Sequence, residues 1–477
     1  MARLKSTAPD VAAAVLVAIA VLIVVGHVFP YFDYFYALIW GQDLIRGRAP
    51  DYAAPFAPAA HPLVNAVAAA AGALGRAGAV EVMRLSGPLA LGALCVGLFR
   101  LGQALFGWPV GLLAAALTAT REPMLVAAAR GYLDVPSTAL IVWAAVLEAR
   151  RPRRGIPVLV LLVFAGLMRP EAWLLAAAYF LWVAPSRGWP DRLRLAAVTA
   201  AGPVLWLLSD LLVTGDPFLR FHILQVTVPE TPLNYPSPTT RTGLLAVPDA
   251  LATDFGNYLR PVPLALAVGG VVVGLVWARR RVLLPVAVAA LNVTAFVILA
   301  VNGAVIEQRY LFPALAMSAL LAAVLAVGWL SVPPAARRRV WSVAGICALA
   351  ALLAFLVPDV RRLDDARSTL VARNEAESDL HRLIQRPAAA RVIERSRLVN
   401  LPTPSPLPFL AFWTGKPPTG FSIDLANPAT PSAFLAPRTA AATMWSGPSP
   451  SGPTPPPGYT RAVVNRSWIL YEKLAPP

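Results

Sequence analysis

The sequence of 477 residues has little cysteine and little charge. Its two cysteines, Cys95 and Cys347, both lie inside apolar runs, which excludes a disulfide framework or a cysteine metal site and indicates small buried side chains. Charged residues make up 14% of the chain and hydrophobic residues 57%. The apolar runs lack the alternation that a membrane β-barrel needs. The composition therefore predicts an all-α polytopic membrane protein.

The net charge of +16 does not indicate nucleic-acid binding. The basic residues fall largely in short clusters between apolar runs, and such clusters mark cytoplasmic loops. The clusters are Arg150–Arg154, Arg187–Arg194, Arg279–Arg281 and Arg337–Arg339. No small-residue cleavage site follows the first apolar run, so we predict a first spanning helix there and not a removed signal peptide.

Eleven apolar segments are predicted to cross the membrane, and they place the N-terminus in the cytoplasm and the C-terminus outside. They are Val11–Phe29, Val82–Phe99, Pro109–Thr120, Val135–Leu147, Ile156–Met168, Ala172–Val183, Leu195–Val213, Val262–Trp277, Val282–Val301, Tyr310–Leu330 and Val340–Val357. Val64–Leu74 is shorter than the ~20 residues of a usual span. Counting it as a span would export all four basic clusters, so we predict a juxtamembrane or re-entrant helix instead.

The polar tail is predicted to form a second domain. We assign residues 1–357 to a membrane domain and residues 358–477 to a Pro-rich extracytoplasmic α/β domain. The spacing of Asp364–Gln385 predicts a helix, and Arg391–Leu401, Phe409–Trp413 and Arg461–Leu474 are interpreted as short strands. The Pro/Ser/Gly-rich stretch Ser446–Gly458 is predicted to be irregular.

Polar residues gather in the loops that the eleven-span topology places outside. They are Asp33, Asp43 and His61 in the first loop, then Glu122, Arg130, Asp134, Arg169, Glu171, Asp216, Glu307, Arg309 and Tyr310. Asp33 stands among five aromatic residues, where a carboxylate is costly unless it has a function. A secondary transporter would be expected to keep its polar groups near the bilayer midplane, on repeated halves. The pattern favours an enzyme that acts on a lipid-borne substrate at the outer face.

Five short motifs, in this order, resemble those of the GT-C membrane glycosyltransferases, in particular protein O-mannosyltransferases and the bacterial enzymes that transfer aminoarabinose to lipid A. The first-loop motif combines Asp33, Tyr36–Ala37, Gly47 and His61–Leu63. The others are Val82–Ser86, Arg130–Asp134, Gly166–Glu171 and Arg309–Pro313. Together they cover roughly the first two-thirds of the chain.

The resemblance implies a sugar donor linked to a polyprenyl phosphate and two outer loops that carry acidic residues. By position, Asp33 matches the catalytic carboxylate of the first loop and Asp134 the acid of the second. His61 matches a donor-phosphate contact of some relatives, although this chain has one proline after it where they have two.

The chemistry of sugar transfer agrees with these residue types. Asp33 is predicted to be the base that takes the acceptor proton. A guanidinium suits the departing phosphate, and Arg309 is our first choice, before Arg169 and Arg130. Glu171 and Tyr310, in the same motifs, are candidate substrate contacts. Asp134 would either orient the acceptor or bind a divalent cation, Mg²⁺ or Mn²⁺, jointly with Asp33.

Structural roles compete with these assignments. Asp134 would also suit the N-cap of the following helix. Arg169 with Glu171, and Arg309 with Glu307, would also suit simple ion pairs. His61 would also suit the start of a helix.

We therefore predict a multi-pass glycosyltransferase of the plasma (inner) membrane. It would move a sugar from a polyprenyl-phosphate donor to an extracytoplasmic glycan, lipid or protein. The composition, rich in Ala, Arg and Pro, points to a GC-rich bacterial genome. The alternatives are a lipid or solute transporter, a membrane scaffold for the C-terminal domain, or another lipid-carrier transferase such as an O-antigen ligase or polymerase.

Overall fold

The computed structural model describes residues 8–473, apart from residues 55, 220–242, 305, 333–335, 355, 424–430, 447–454 and 456. The described part is mostly helical. Its helices are α1 (Ala8–Val25), α2 (Phe32–Ile45), α3 (Pro62–Gly72), α4 (Gly75–Leu105), α5 (Trp108–Ala119), α6 (Glu122–Ala129), α7 (Asp134–Arg150), α8 (Ile156–Met168), α9 (Ala172–Val183), α10 (Trp189–Thr214), α11 (Val247–Leu259), α12 (Pro261–Trp277), α13 (Arg279–Val301), α14 (Phe312–Val327), α15 (Ala336–Ala354), α16 (Leu356–Ile384), α17 (Pro387–Arg395), α18 (Leu407–Thr414) and α19 (Ala440–Ser446).

The chain forms two compact units. The first contains Met1–Val25, His61–Leu63 and Arg84–Asp364. The second contains Gly26–Ala60, Val64–Met83 and Asp365–Pro477. The boundary between functional domains at residue 357 stays a prediction.

The apolar segments form helices where the sequence predicts them. All eleven predicted spans lie on or overlap helices, and Val64–Leu74 overlaps α3. Among the described residues, five helices are long and apolar enough to cross a membrane, or up to eight if each of three bent pairs counts as one span. Three further apolar helices are shorter. The predicted helices are thus confirmed, and the number that crosses the membrane stays a prediction.

Helix α14 is the core of the first unit. Almost all of its side chains are buried, and it packs against α5, α12, α13 and α15. A helix that is apolar on all sides is buried by its neighbours on all sides. Gly270 of α12 allows the closest approach, because a Cβ added there would lie 1.8 Å from the carbonyl oxygen of Leu321. This helix begins directly after the turn that carries Arg309 and Tyr310.

The second unit is built around a five-stranded sheet and aromatic packing. The strands are β1 (Leu398–Asn400), β2 (Phe421–Ser422), β3 (Ser432–Pro437), β4 (Thr460–Val464) and β5 (Trp468–Lys473), in the order β2-β1-β3-β5-β4. β1 runs parallel to β2 and β3, whereas β5 is antiparallel to β3 and β4. The C-terminal part of the chain thus contains a small sheet, as the sequence predicts.

Two of the three predicted strands need correction. Phe409–Trp413 is not a strand but the body of α18, which has Pro408 in its first turn and ends at Gly415 with φ +75°. A short apolar run without alternation fits a buried helix as well as a strand, and these two residues mark helix ends. Arg391–Leu401 divides between α17 and β1, whereas Arg461–Leu474 contains β4 and β5 as predicted. The Ser446–Gly458 prediction falls mostly outside the described residues.

Candidate functional site

A buried ion pair joins two of the predicted motifs in the first unit. Asp134 is the first residue of α7, and Arg169 directly follows α8. The Nε of Arg169 donates to Oδ1 of Asp134 at 2.8 Å, and its Nη2 donates to the same oxygen. Asp134 is 4% exposed and Arg169 9%. Asp134 therefore binds Arg169. The N-cap role considered for Asp134 is not found, because Leu133 occupies the N-cap position of α7 and no side chain caps this helix end.

The acids around Arg169 stabilise the protonated form of its guanidinium. Burial lowers the pKa of the Arg169 guanidinium, but Asp134 and Glu171 together raise it by more, so that the net shift is upward. Among the described residues, Arg169 forms its ion pair with Asp134 and not with Glu171, whose charge acts on Arg169 without direct pairing. The Oε2 of Glu171 is buried and has no hydrogen-bond partner among the described residues.

Three guanidiniums alternate with two tyrosine rings, and we call this set the arginine–tyrosine ladder. Arg169 lies 4.4 Å from the ring centre of Tyr310, and Arg309 lies 5.5 Å from the same ring. Arg309 also lies 4.8 Å from the ring centre of Tyr132, which Arg130 approaches to 5.0 Å. These distances are in the range of cation–π contacts. Four of the five members were sequence candidates, and Tyr132 was not.

Arg309 also forms the ion pair considered from the sequence. Its Nη2 donates to Oε1 of Glu307 at 2.9 Å, and its Nε lies 2.9 Å from Oε2. The Glu307 side chain is 43% exposed and that of Arg309 15%. A half-exposed carboxylate is a weak partner, so this pair leaves Arg309 able to serve an anionic ligand.

Asn292 supports the ladder, and the sequence analysis missed it. This residue of α13 is 3% exposed. Its Nδ2 donates to the carbonyl oxygen of Tyr310 at 3.0 Å, and its Oδ1 accepts from the N–H of Ala314 at 3.0 Å. It thereby fixes the turn of Gln308–Leu311 at the start of α14. The available signal was an amide in the middle of an apolar segment, which needs a polar partner.

Two cavities meet at Arg309. The smaller, of about 20 Å³, has room for a water molecule, and its polar lining comes from Asp134, Arg169, Glu171, Asn292, Arg309 and Tyr310. The larger measures about 390 Å³, and Glu122, Tyr132, Arg260, Glu307, Arg309 and Arg362 are part of its wall. A cavity of this size is in the range of small-ligand sites.

The remaining candidates, His61, Asp33 and Asp43, are not members of the ladder and do not line either cavity. His61 precedes α3, is buried in the first unit, and packs edge-on against Trp206 at 5.5 Å between ring centres. Asp33 lies in the first turn of α2, in the second unit, and is half-buried. Asp43, near the end of the same helix, forms a surface ion pair with Arg48 at 2.6 Å.

The residues at Asp134 do not suit a divalent cation. Arg169 already neutralises this carboxylate, and a metal ion beside a buried guanidinium would be repelled. In the described ranges, no group of three or more His, Cys, Asp or Glu side chains could hold a metal ion.

Comparison with known proteins identifies the fold. No protein-family model matches the sequence, and no curated protein matches it. Among solved structures, ArnT from Cupriavidus metallidurans bound to undecaprenyl phosphate has a TM-score of 0.51 at 15% identity, over 99% of this chain and 98% of that one.

Two structures of an archaeal oligosaccharyltransferase from Archaeoglobus fulgidus also match. The apo form has a TM-score of 0.47 at 12% identity, and AglB with an inhibitory peptide and a dolichol-phosphate has 0.44 at 11%. These matches cover 86% and 85% of this chain, and it spans 64% and 63% of their lengths. All three neighbours are GT-C membrane glycosyltransferases, and the likeness to ArnT shows that this chain has the GT-C fold that its motifs predict.

Proposed function

We propose that this protein is a multi-pass membrane glycosyltransferase. It transfers one sugar from a polyprenyl-phosphate carrier to an acceptor outside the cytoplasm, with inversion at the sugar carbon. The N-terminus lies in the cytoplasm and the loops that carry the candidate residues lie outside. The fold supports this proposal, because the ArnT structure of the same fold contains undecaprenyl phosphate.

The arginine–tyrosine ladder is the observation that carries the proposal. A lipid phosphate leaving a sugar gains negative charge, and guanidiniums held in advance stabilise such charge without reorganisation. Arg309 bounds both cavities, so it is our candidate for the leaving phosphate. Arg169 and Arg130 are the second and third candidates, and Tyr310 holds two of the guanidiniums.

The other candidates receive supporting roles. Asp134 orients Arg169, because the pair is buried and both of its hydrogen bonds use one carboxylate oxygen. The buried Oε2 of Glu171 is an acceptor for the one water molecule or hydroxyl group that the small cavity has room for. His61 is a donor contact only by its resemblance to the family.

By its resemblance to the first-loop carboxylate of the family, Asp33 is our candidate for the general base. Its carboxylate takes the proton of the acceptor hydroxyl, and the acceptor oxygen forms a bond to the sugar carbon. The bond from that carbon to the phosphate oxygen breaks, and its electron pair stays on the phosphate. The products are a glycosylated acceptor and a free polyprenyl phosphate.

The test uses two aspartates of one helix. Membranes that contain the wild type should move radiolabel from a polyprenyl-phosphate sugar to an acceptor. Asp33→Asn should abolish this transfer, because an amide cannot accept the proton. Asp43→Asn is the matched control, since Asp43 lies in α2 but forms only a surface ion pair.

Either of two results would refute part of the proposal. Full activity of Asp33→Asn would remove the assignment of the base. No movement of label from any polyprenyl-phosphate sugar by the wild type, with the protein folded in the membrane, would reject the reaction itself.

A further inference from the structure

The wall of the larger cavity carries polar and charged side chains that do not belong to the ladder. On its wall, beyond Arg309 and Glu307, stand Glu122, Asn257, Arg260 and Arg362. Neither Arg260 nor Arg362 belongs to one of the five motifs or is a member of the ladder. We call the space that these two arginines line the arginine cavity.

The acids near the arginine cavity do not balance its arginines. Asp359 lies 3.7 Å from Nε of Arg260, but it pairs more closely with Nη2 of Arg121, at 2.6 Å. One carboxylate thus serves two guanidiniums. Glu122 lies near enough to interact electrostatically with both Arg260 and Arg362, which is at the exposed side of the cavity. Three arginines of the wall, Arg260, Arg309 and Arg362, thus face two carboxylates, Glu122 and Glu307. An anion between Arg260 and Arg362 would relieve the repulsion between like charges in a partly buried space.

The backbone of Arg260 is in a conformation that almost only glycine adopts. Its φ is +71° and its ψ is 162°, at the break where α11 and α12 meet with a bend of 103°. A residue with a side chain is strained in this region of backbone conformation. Glycine would remove that strain, but the residue at this position carries a guanidinium that lines the cavity.

We infer that the arginine cavity binds a phosphate or carboxylate group on a saccharide acceptor. The inference rests on the proposed function, in which Arg309 serves the donor phosphate on the wall shared with the small cavity. Asn257 and Glu122 add the amide and carboxylate groups that hydroxyls of a sugar can pair with. The volume of about 390 Å³ has room for a small saccharide.

Ligand protection of the purified full chain in detergent tests this site. The probes are glucose 6-phosphate, glucuronate, glucose and undecaprenyl phosphate, and the readout is the apparent unfolding temperature at increasing concentration. Glucose 6-phosphate or glucuronate should protect the wild type, and glucose should not. The better of the two identifies the anionic group. Arg260→Gln and Arg362→Gln should each weaken that protection about tenfold or more, because a charge-assisted hydrogen bond is lost.

Two controls separate the site from general effects. Arg260→Gly should unfold at a higher temperature than the wild type without ligand, since it relieves the backbone strain, and yet lose the protection. Arg194→Gln changes an arginine of α10 whose side chain is 72% exposed, and it should behave as the wild type.

The outcomes distinguish this inference from the proposed function. Protection by undecaprenyl phosphate should be the same in Arg260→Gln and the wild type. Loss of that protection in Arg260→Gln would assign the cavity to the lipid carrier and overturn the inference. Protection of the wild type by undecaprenyl phosphate but by neither anionic sugar would overturn it too, and would leave the proposed function standing. Protection by the sugars alone would contradict the proposed donor.

Discussion

The ion pair between Asp134 and Arg169 combines two buried charges, so removing either one leaves the other without its partner. Breaking a buried pair costs about 3–5 kcal/mol. We expect Asp134→Asn to lower the unfolding temperature markedly in detergent. The double variant Asp134→Leu/Arg169→Met removes both charges and should unfold at a higher temperature than the single variant.

Activity separates a structural role of this pair from a functional one. If Arg169 supports the leaving phosphate, the double variant should be stable but slow in transfer. A double variant with normal transfer would reduce Asp134 and Arg169 to a structural contact.

The sequence predicted which residues belong to the site, but not which of them contact one another. Arg130, Arg169, Arg309 and Tyr310 were chosen for their loop positions, and the structure brings them into one ladder. The pairing of Asp134 with Arg169 joins residues 35 positions apart, and no local pattern specifies such a contact. Asn292 was missed for a related reason, since its role depends on the turn that it holds.

At the scale of elements, α2 depends on the C-terminal part of the second unit. Phe35 of α2 lies 5.3 Å from the ring of Phe409 and 5.9 Å from that of Phe412, both in α18. Phe35 is 3% exposed and two residues from Asp33 in the same helix. This packing therefore orients the helix that carries the proposed base.

Removing an aromatic ring at this contact should lower both the stability of the protein and the rate of transfer. Phe409→Ala removes a buried ring, which costs about 3–5 kcal/mol. We expect a lower unfolding temperature and slower transfer, with the KM for the donor nearly unchanged because the loss concerns the base. Phe409→Leu fills most of the space and should retain most activity. Unchanged kcat in a destabilised Phe409→Ala would show that α2 does not need α18 for its orientation.

Element type was predictable where apolar runs were long. All eleven predicted spans lie on or overlap helices because a run of this length has few other ways to satisfy its backbone. Phe409–Trp413 was wrong because five apolar residues fit a helix or a strand, and tertiary burial decided. β3 was missed for the same reason, since all six of its residues are buried and no alternation marks it.

At the scale of the whole molecule, the proposed topology can be mapped with cysteines. In a chain with Cys95→Ala and Cys347→Ala, single cysteines would replace Arg48, Glu307, Arg466 or Arg194. Their side chains are 59%, 43%, 74% and 72% exposed, respectively. An impermeant maleimide on intact cells should label the first three positions and not the fourth. Labelling of Arg48→Cys and Glu307→Cys from opposite sides would separate the proposed base from the ladder and end the proposal.

The ladder has a consequence for the pH–rate profile of transfer, because its cations are all arginines. Arginine does not lose its proton in proteins, so the ladder keeps its charge in alkaline solution. The rate should rise as the catalytic carboxylate ionises and then stay level from about pH 7 to 9. A fall with a midpoint near 6.5, the usual value for histidine, that vanishes in His61→Gln would instead assign the phosphate charge to an imidazolium. Alkaline tolerance of the proposed transfer would thus follow from the use of arginine as its cation.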